Sequence, residues 1–98
     1  MKTALALLAL APMMVAQNAF ARTDAEEYAD LLAKAKITLA QAADTAAARV
    51  SGTVVKIELD SNRGQVVFEA DVLAGNRLYD VNINAEDGTV LDVHEDLD

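Results

Sequence analysis

The stretch that decides the fold is Gln65–Asn84, QVVFEADVLAGNRLYDVNIN. Two runs of alternating apolar and polar residues flank Gly75-Asn76, a pair suited to a tight hairpin turn. A two-residue turn at that point sets three apolar pairs opposite each other: Val72 with Tyr79, Ala70 with Val81, and Phe68 with Ile83. Because the turn and the alternation agree on one register, the stretch predicts a β-hairpin with one buried face.

A further alternating run lies on each side of this hairpin. The period is again two over Thr53–Asp60 and Thr89–Glu95, and glycine-containing turns separate both runs from the hairpin. The side chains expected to face inward in these runs are Val55, Ile57, Leu59, Leu91 and Val93. The pattern predicts a four-stranded antiparallel meander. Its outward apolar side chains would be Val54, Val67, Leu73, Leu78 and Val90.

Two helical segments precede the strands. Asp24–Lys36 carries an apolar stripe at helical spacing, with acidic residues in its first turn and lysines in its last. Thr38 and Gln41 form a capping box that begins a second, alanine-rich helix, and Gly52 is expected to end it in the left-handed conformation. The expected fold is therefore α+β: one main helix packed on a four-stranded meander, preceded by a shorter N-terminal helix.

The first 21 residues read as an export signal. Lys2 is followed by the apolar run Thr3–Ala16, and Ala19 and Ala21 supply the small residues of a cleavage site. A retained N-terminal anchor is the alternative, but the run is short for a membrane span and contains Pro12. We expect cleavage after Ala21, a helical arm over residues 22–36, and a domain over residues 37–98. Periplasmic localisation without stable membrane insertion follows.

Charge and composition exclude several classes of function. Cleavage would leave seven Lys and Arg against 16 Asp and Glu, a net charge of −9 that disfavours nucleic acid and anionic membranes. The absence of cysteine excludes disulfides, thiolate metal sites, a cysteine nucleophile and a lipidated cysteine. The charge favours solubility, and it could also steer the protein towards a basic partner or a cation.

From Ile37 to His94 the sequence resembles the PepSY family. The residues that carry this resemblance are Ile37-Thr38-Leu39, the strand Val54–Leu59, the run Val67–Leu73, and the ending YDVNINAEDGTVL over Tyr79–Leu91. Asn84 stands where that ending commonly has Asp. The resemblance implies an exported or extracytoplasmic module, found alone or attached to secreted peptidases and suspected of holding peptidases inactive.

The outward apolar residues form the candidate partner surface. Leu73 and Leu78 flank the hairpin turn, and we predict a surface built on them. Its other expected members are Val67, Val54, Arg77, Asp71 and Asp80. Two alternatives are that the N-terminal helix covers this face, or that these residues are ordinary scattered apolar surface.

A weaker candidate is a divalent-cation site in the acidic C-terminal segment. Asp92, His94 and Asp96 could hold a cation loosely, whereas a solvated acidic tail that protects an edge strand explains them without any cation. Catalysis has less support. His94 is the sole histidine, and carboxylates at strand spacing are typical of a solvated sheet surface.

Three functions follow from these residues. The leading prediction is a non-enzymatic protein-binding module of the cell envelope without a cofactor, with modulation or inhibition of a peptidase as its specific form. The alternative is a divalent-cation or small-ligand binder that acts through the acidic C-terminus. A purely structural role is the third.

Overall fold

The structure, a computed structural model, describes residues 22–97. The predicted signal segment and its cleavage residues Ala19 and Ala21 lie outside the described residues. Two helices are followed by a four-stranded antiparallel sheet with the strand order β1-β2-β3-β4, which confirms the predicted α+β fold. The elements are α1 (Asp24–Lys34), α2 (Leu39–Val50), β1 (Thr53–Asn62), β2 (Gln65–Ala74), β3 (Arg77–Asn84) and β4 (Val90–Asp96).

Each helix begins with a capping box. The Thr38 hydroxyl accepts a hydrogen bond from the N–H of Gln41 at 3.0 Å, and Gln41 Oε1 accepts one from the N–H of Thr38 at 2.8 Å. Thr23 and Glu26 make the same reciprocal pair at the start of α1. The hydrogen bonds from Thr23 hold the pKa of Glu26 below its ordinary value. These caps satisfy backbone donors that a helix start would otherwise leave unpaired.

The hairpin has the register that its sequence predicts. In the pairing of β2 with β3, Val72 lies opposite Tyr79, Ala70 opposite Val81, and Phe68 opposite Ile83. The inner face of the sheet carries α2, which contributes two fully buried alanines to the core. Small side chains let the helix approach the sheet closely. The buried core cluster is Ala42, Ala46, Val66, Phe68, Ala70, Val72, Val81, Ile83 and Ala85.

The end of α2 differs from the prediction. Ser51, not Gly52, has the left-handed conformation, with φ 54°. A Cβ on Gly52 would lie 2.5 Å from the backbone oxygen of Leu73 and 2.9 Å from Val72 Cγ1. The glycine is therefore required by close packing of the helix end on β2, and not by its backbone φ.

Two β-bulges reverse the predicted orientation of four residues. Val54 pairs with Val72 and Lys56 with Asp71, which leaves Val55 as the extra residue. Val54 consequently packs against the core, and Val55 is 57% exposed. A second irregularity, opposite Asn82 and Ile83, turns Val90 inward and leaves Leu91 46% exposed. The predicted inward facing of Val55 and Leu91 is wrong, because an inserted residue shifts the alternation by one.

The bulge in β1 gives a direct test of these orientations. We expect Val54→Ala to lower the free energy of unfolding by about 1 kcal/mol, since it removes two partly buried methyl groups. Val55→Ala should change it by less than about 0.5 kcal/mol, because that side chain is largely in solvent already. Urea unfolding of both variants measures the difference. A larger loss from Val55→Ala would contradict the bulge.

The turn between β3 and β4 holds the end of α1 and the sheet together. The N–H groups of Lys36 and Ile37 donate to the carbonyl oxygen of Ala85, at 2.8 and 3.2 Å. Asn84 Oδ1 accepts a hydrogen bond from the N–H of Glu86 at 2.8 Å, so the amide makes a side-chain turn contact of the kind that Asp also makes. Helix α1 ends at Lys34, two residues before the predicted end, because Ala35 is extended.

Candidate functional site

The outer face of the sheet, opposite the helices, is lined mainly by charged side chains. The alternation along the four strands brings Glu58, Glu69, Asp71, Asp80, Asn82, Asp92 and His94 to this face. Helix α1 does not cover it, since Leu31 and Ala35 of that segment pack against the core on the other side of the sheet. This result decides against a docked N-terminal helix as the cover of the predicted partner surface.

At the hairpin end, the outer face carries the predicted leucine pair. Leu73 and Leu78 lie directly opposite each other across β2 and β3. Leu73 is 44% exposed and Leu78 is half-buried. Asp71 and Asp80 form the next cross-strand pair on the same face. The structure therefore brings together four of the seven residues predicted for the partner surface.

The other three predicted members are placed elsewhere. The bulge turns Val54 into the core, and Val67 is only 1% exposed, so neither offers a contact surface. Arg77 alternates to the same side of the sheet as Tyr79, where its Nη1 lies 3.2 Å from Oε1 of Glu95. The bulge explains the position of Val54, and strand alternation explains that of Arg77. Val67 keeps the predicted alternation but is buried.

Carboxyl groups of neighbouring strands are in direct contact on the outer face. The Asp71 carboxyl lies close to that of Asp80, and the Glu69 carboxyl lies close to that of Asp60. Two negative charges this close repel each other, which favours the protonated form. The contact with Asp80 thus raises the pKa of Asp71, and the contact with Asp60 raises the pKa of Glu69.

His94 extends this chain of contacts to β4. Its Nε2 lies 3.2 Å from Oδ2 of Asp80, and its Nδ1 lies 3.1 Å from Oδ2 of Asp92. Both ring nitrogens thus face carboxylates. Across residues 22–97, no three His, Asp or Glu side chains converge so that they could hold a metal ion. The cation site expected at Asp92, His94 and Asp96 stays a prediction.

A shallow concavity of about 240 Å³ lies in the middle of the outer face. Its rim includes Glu69, Asp71, Asp80 and His94, and Lys56 lies at its β1 side, with Nζ 3.0 Å from Glu58 Oε1. The Glu58 carboxylate raises the pKa of Lys56. These groups make the concavity an acidic surface with one paired lysine at its edge.

A second apolar surface was missed by the sequence reasoning. A groove of about 500 Å³ runs between α1 and the start of α2, with Phe68 at its floor. Its exposed side chains are Tyr28, Leu32 and Leu39, at 50%, 58% and 47%. The sequence does contain a signal for this groove, the adjacent leucines Leu31 and Leu32. Neighbouring side chains on a helix point about 100° apart, so Leu31 and Leu32 cannot both face the same narrow core contact.

The carboxyl pair predicts a pH-dependent stability. At neutral pH, Asp71→Asn should raise the free energy of unfolding by roughly 0.5–1 kcal/mol, because it removes a like-charge cross-strand pair. A raised pKa in the folded state means that the folded protein binds the proton more readily than the unfolded chain. The wild type should therefore regain stability as the pH falls through the raised pKa of Asp71, and the advantage of the variant should be gone below pH 3.8, the ordinary pKa of the group.

Urea unfolding between neutral and acidic pH measures this difference. Asp44→Asn is the matched control, since it removes one exposed carboxylate from α2, away from the pair. If both substitutions raise the free energy of unfolding equally, the effect comes from net charge and not from the Asp71–Asp80 contact.

Comparison with known proteins adds a family and one solved structure. The family described as "Peptidase propeptide and YPEB domain", PepSY, matches residues 36–94. A crystal structure from Clostridium difficile 630, described as that of "a putative lipoprotein", is similar with a TM-score of 0.59 and 25% identity. The similarity covers 61% of this chain and 40% of that one, so the chain spans well under half of that protein. No curated protein matches significantly.

The family match covers most of the described fold. It includes α2 and the first three strands completely and ends within β4, and it leaves out α1. None of the helices in residues 22–97 is long and apolar enough to cross a membrane. Together with the similar structure, the match indicates an exported module. The predicted resemblance from Ile37 to His94 is confirmed, and the chain belongs to the PepSY family.

Proposed function

We propose that this protein is an exported, non-enzymatic module that binds another protein in the cell envelope, with a peptidase as the candidate partner. The family description, which includes peptidase propeptides, supports the candidate. The export signal predicted over residues 1–21 and the lipoprotein description of the similar structure support an envelope location. Binding would occupy or brace a partner surface and would require no chemistry from this chain.

The observation that carries this proposal is the Leu73–Leu78 pair. A leucine that is 44% exposed beside a second, half-buried leucine gives the outer face a small apolar patch. The Leu73–Leu78 pair lies next to the Asp71–Asp80 pair on the same face, so polar groups border it. An apolar centre with a charged margin is the usual anatomy of a protein–protein contact.

The surroundings of His94 support a function without catalysis. Its two ring nitrogens contact Asp80 and Asp92, so in this arrangement neither activates a serine hydroxyl. Ser51 ends α2, and Ser61 lies near the end of β1. Neither serine belongs to β3 or β4, where the histidine and its carboxylates lie.

The test is affinity capture from the protein's own envelope extract. The bait is the protein produced from the full-length chain, and the variant is Leu73→Asp with Leu78→Asp. A matched double variant, Leu32→Asp with Leu39→Asp, places the same two charges in the groove beside α1. Circular dichroism must first show that all three proteins are folded. Any captured protein is identified, purified and tested for direct binding.

We expect one purified partner to bind the wild type and the groove variant and to lose at least tenfold in affinity for the Leu73/Leu78 variant. If the groove variant alone loses binding, the contact surface is the groove and the proposed surface is wrong. If no protein binds directly to the wild type, the binding function itself is contradicted. If the purified partner is a peptidase, its activity with and without the protein decides whether binding inhibits it.

A further inference from the structure

We propose that the fold directs spontaneous isomerisation of aspartate to the Asp60–Ser61 bond and protects the Asp87–Gly88 bond, which reverses the order expected in an unfolded chain. Isomerisation to isoaspartate begins when the main-chain nitrogen of the next residue attacks the aspartate side chain. A following glycine has no Cβ to hinder this attack. In an unfolded chain, the one Asp–Gly bond of the sequence should therefore react before its one Asp–Ser bond.

The reaction needs a protonated carboxyl group and water. The nitrogen forms a bond to the side-chain carboxyl carbon, and the hydroxyl of that carboxyl group leaves with the amide proton as water, which gives a cyclic succinimide. Water then adds to the former main-chain carbonyl carbon, the bond from this carbon to the nitrogen breaks, and the nitrogen regains its proton. The product has the mass of the original protein and one additional methylene group in its backbone.

At Asp60, the attacking nitrogen already contacts the group that it attacks. The main-chain N–H of Ser61 donates a hydrogen bond to Oδ1 of Asp60 at 2.7 Å, and the attacked carbon is bonded to that oxygen. Holding two reacting groups together in this way removes much of the entropic cost of their approach. Both residues are exposed on β1, an edge strand of the sheet, so water reaches them for the second step.

At Asp87, the corresponding two groups are engaged by other partners. The N–H of Gly88 donates to the carbonyl oxygen of Asn84 at 2.8 Å. Oδ1 of Asp87 accepts hydrogen bonds from the N–H and the hydroxyl of Thr89, at 2.9 and 2.8 Å. These two bonds lower the pKa of Asp87 and so favour its carboxylate, which has no hydroxyl group to lose as water. The attack therefore requires that hydrogen bonds on both sides break first.

This modification site is separate from the proposed partner surface. Asp60 pairs with Val67 on β2, whereas Leu73 pairs with Thr53 at the other end of β1. An additional backbone methylene at Asp60 disturbs the pairing of β1 with β2 next to the turn that joins them. The inference therefore goes beyond the proposed binding function and does not depend on it.

The test is prolonged warm incubation of the protein produced from the full-length chain, at mildly acidic pH, where more carboxyl groups are protonated. One sample is folded and one is unfolded in guanidinium chloride, and circular dichroism verifies both states. Peptide mapping by mass spectrometry with electron-transfer fragmentation measures isoaspartate at each position. Thr89→Val removes the hydroxyl that donates to Asp87, and Thr45→Val is the matched control, because it removes a hydroxyl from α2. Asp60→Glu lengthens the side chain, so that the succinimide ring cannot form there.

In the folded protein, we expect isoaspartate to form at least about tenfold faster at Asp60 than at Asp87, and in guanidinium chloride we expect the reverse order. Thr89→Val should raise the folded rate at Asp87 severalfold, whereas Thr45→Val should not change it. Asp60→Glu should abolish the product at that position. Equal or faster reaction at Asp87 in the folded protein would overturn the proposal. So would the same order in both states, product at neither position, or a Thr89→Val variant that reacts like the wild type.

Discussion

Replacing Phe68 by alanine is expected to lower the free energy of unfolding by about 3–5 kcal/mol, the largest effect of any substitution considered for this protein. Phe68 is 1% exposed, lies opposite Leu59 and Ile83 on its two neighbouring strands, and belongs to the buried cluster under α2. The substitution removes its buried aromatic surface and leaves a cavity that the surrounding strands cannot fill. In a domain of this size, with no disulfide, that loss is a large fraction of the total stability.

Urea unfolding followed by circular dichroism measures this effect. Phe68→Leu should retain enough structure for a complete transition and should fall between the wild type and Phe68→Ala, because it keeps part of the buried volume. Leu91→Ala is the control, since Leu91 is 46% exposed at a bulge. A loss of less than about 1 kcal/mol for Phe68→Ala would show that Phe68 is not part of a packed core.

The second large effect is expected at Gly52. Gly52→Ala should lower the free energy of unfolding by about 1–3 kcal/mol, because its Cβ would overlap the backbone oxygen of Leu73 at 2.5 Å. The backbone of β2 cannot move away without disturbing its pairing with β3, where Leu73 lies opposite Leu78. Since Leu73 is part of the proposed partner surface, this substitution should also weaken partner binding.

Ser51→Gly is the matched control for this position. Ser51 has φ 54°, and glycine adopts this conformation without the strain that a Cβ introduces. This substitution should leave stability unchanged or raise it by up to about 1 kcal/mol. The opposite result, a tolerated Gly52→Ala and a destabilising Ser51→Gly, would show that Gly52 is the left-handed residue, as the sequence predicts. Thermal unfolding of both variants distinguishes the two cases.

The two faces of the sheet contribute differently to stability. The inner face provides stability, because Val66, Phe68, Ala70 and Val72 pack under α2 and exclude water. The outer face contributes little to that core and carries carboxylates in unfavourable proximity. Because the inner face supplies the stability, the fold tolerates carboxylates in unfavourable proximity on its outer face.

The candidate site could be predicted from the sequence only in part. Leu73, Leu78, Asp71 and Asp80 were expected together because they follow from the hairpin register, which a two-residue turn determines locally. Val67 alternates as predicted, but its burial depends on neighbours that a single strand pattern does not reveal. The sequence does not predict that His94 contacts both Asp80 and Asp92, because the contact with Asp80 depends on how β4 aligns with β3.

The sequence by itself determined the α+β class, the capping box at Thr38, the order of the four strands and the hairpin register. These features depend on interactions between residues close in the chain, and on alternation, which has a fixed period. Only the tertiary structure decided the orientation of Val54 and Val55, the role of Gly52, and the position of α1 away from the outer face. The physical reason is that these three features depend on contacts between residues that are distant in the chain. A local sequence pattern contains no information about such contacts, so it cannot predict a bulge, a close approach or a helix docking position.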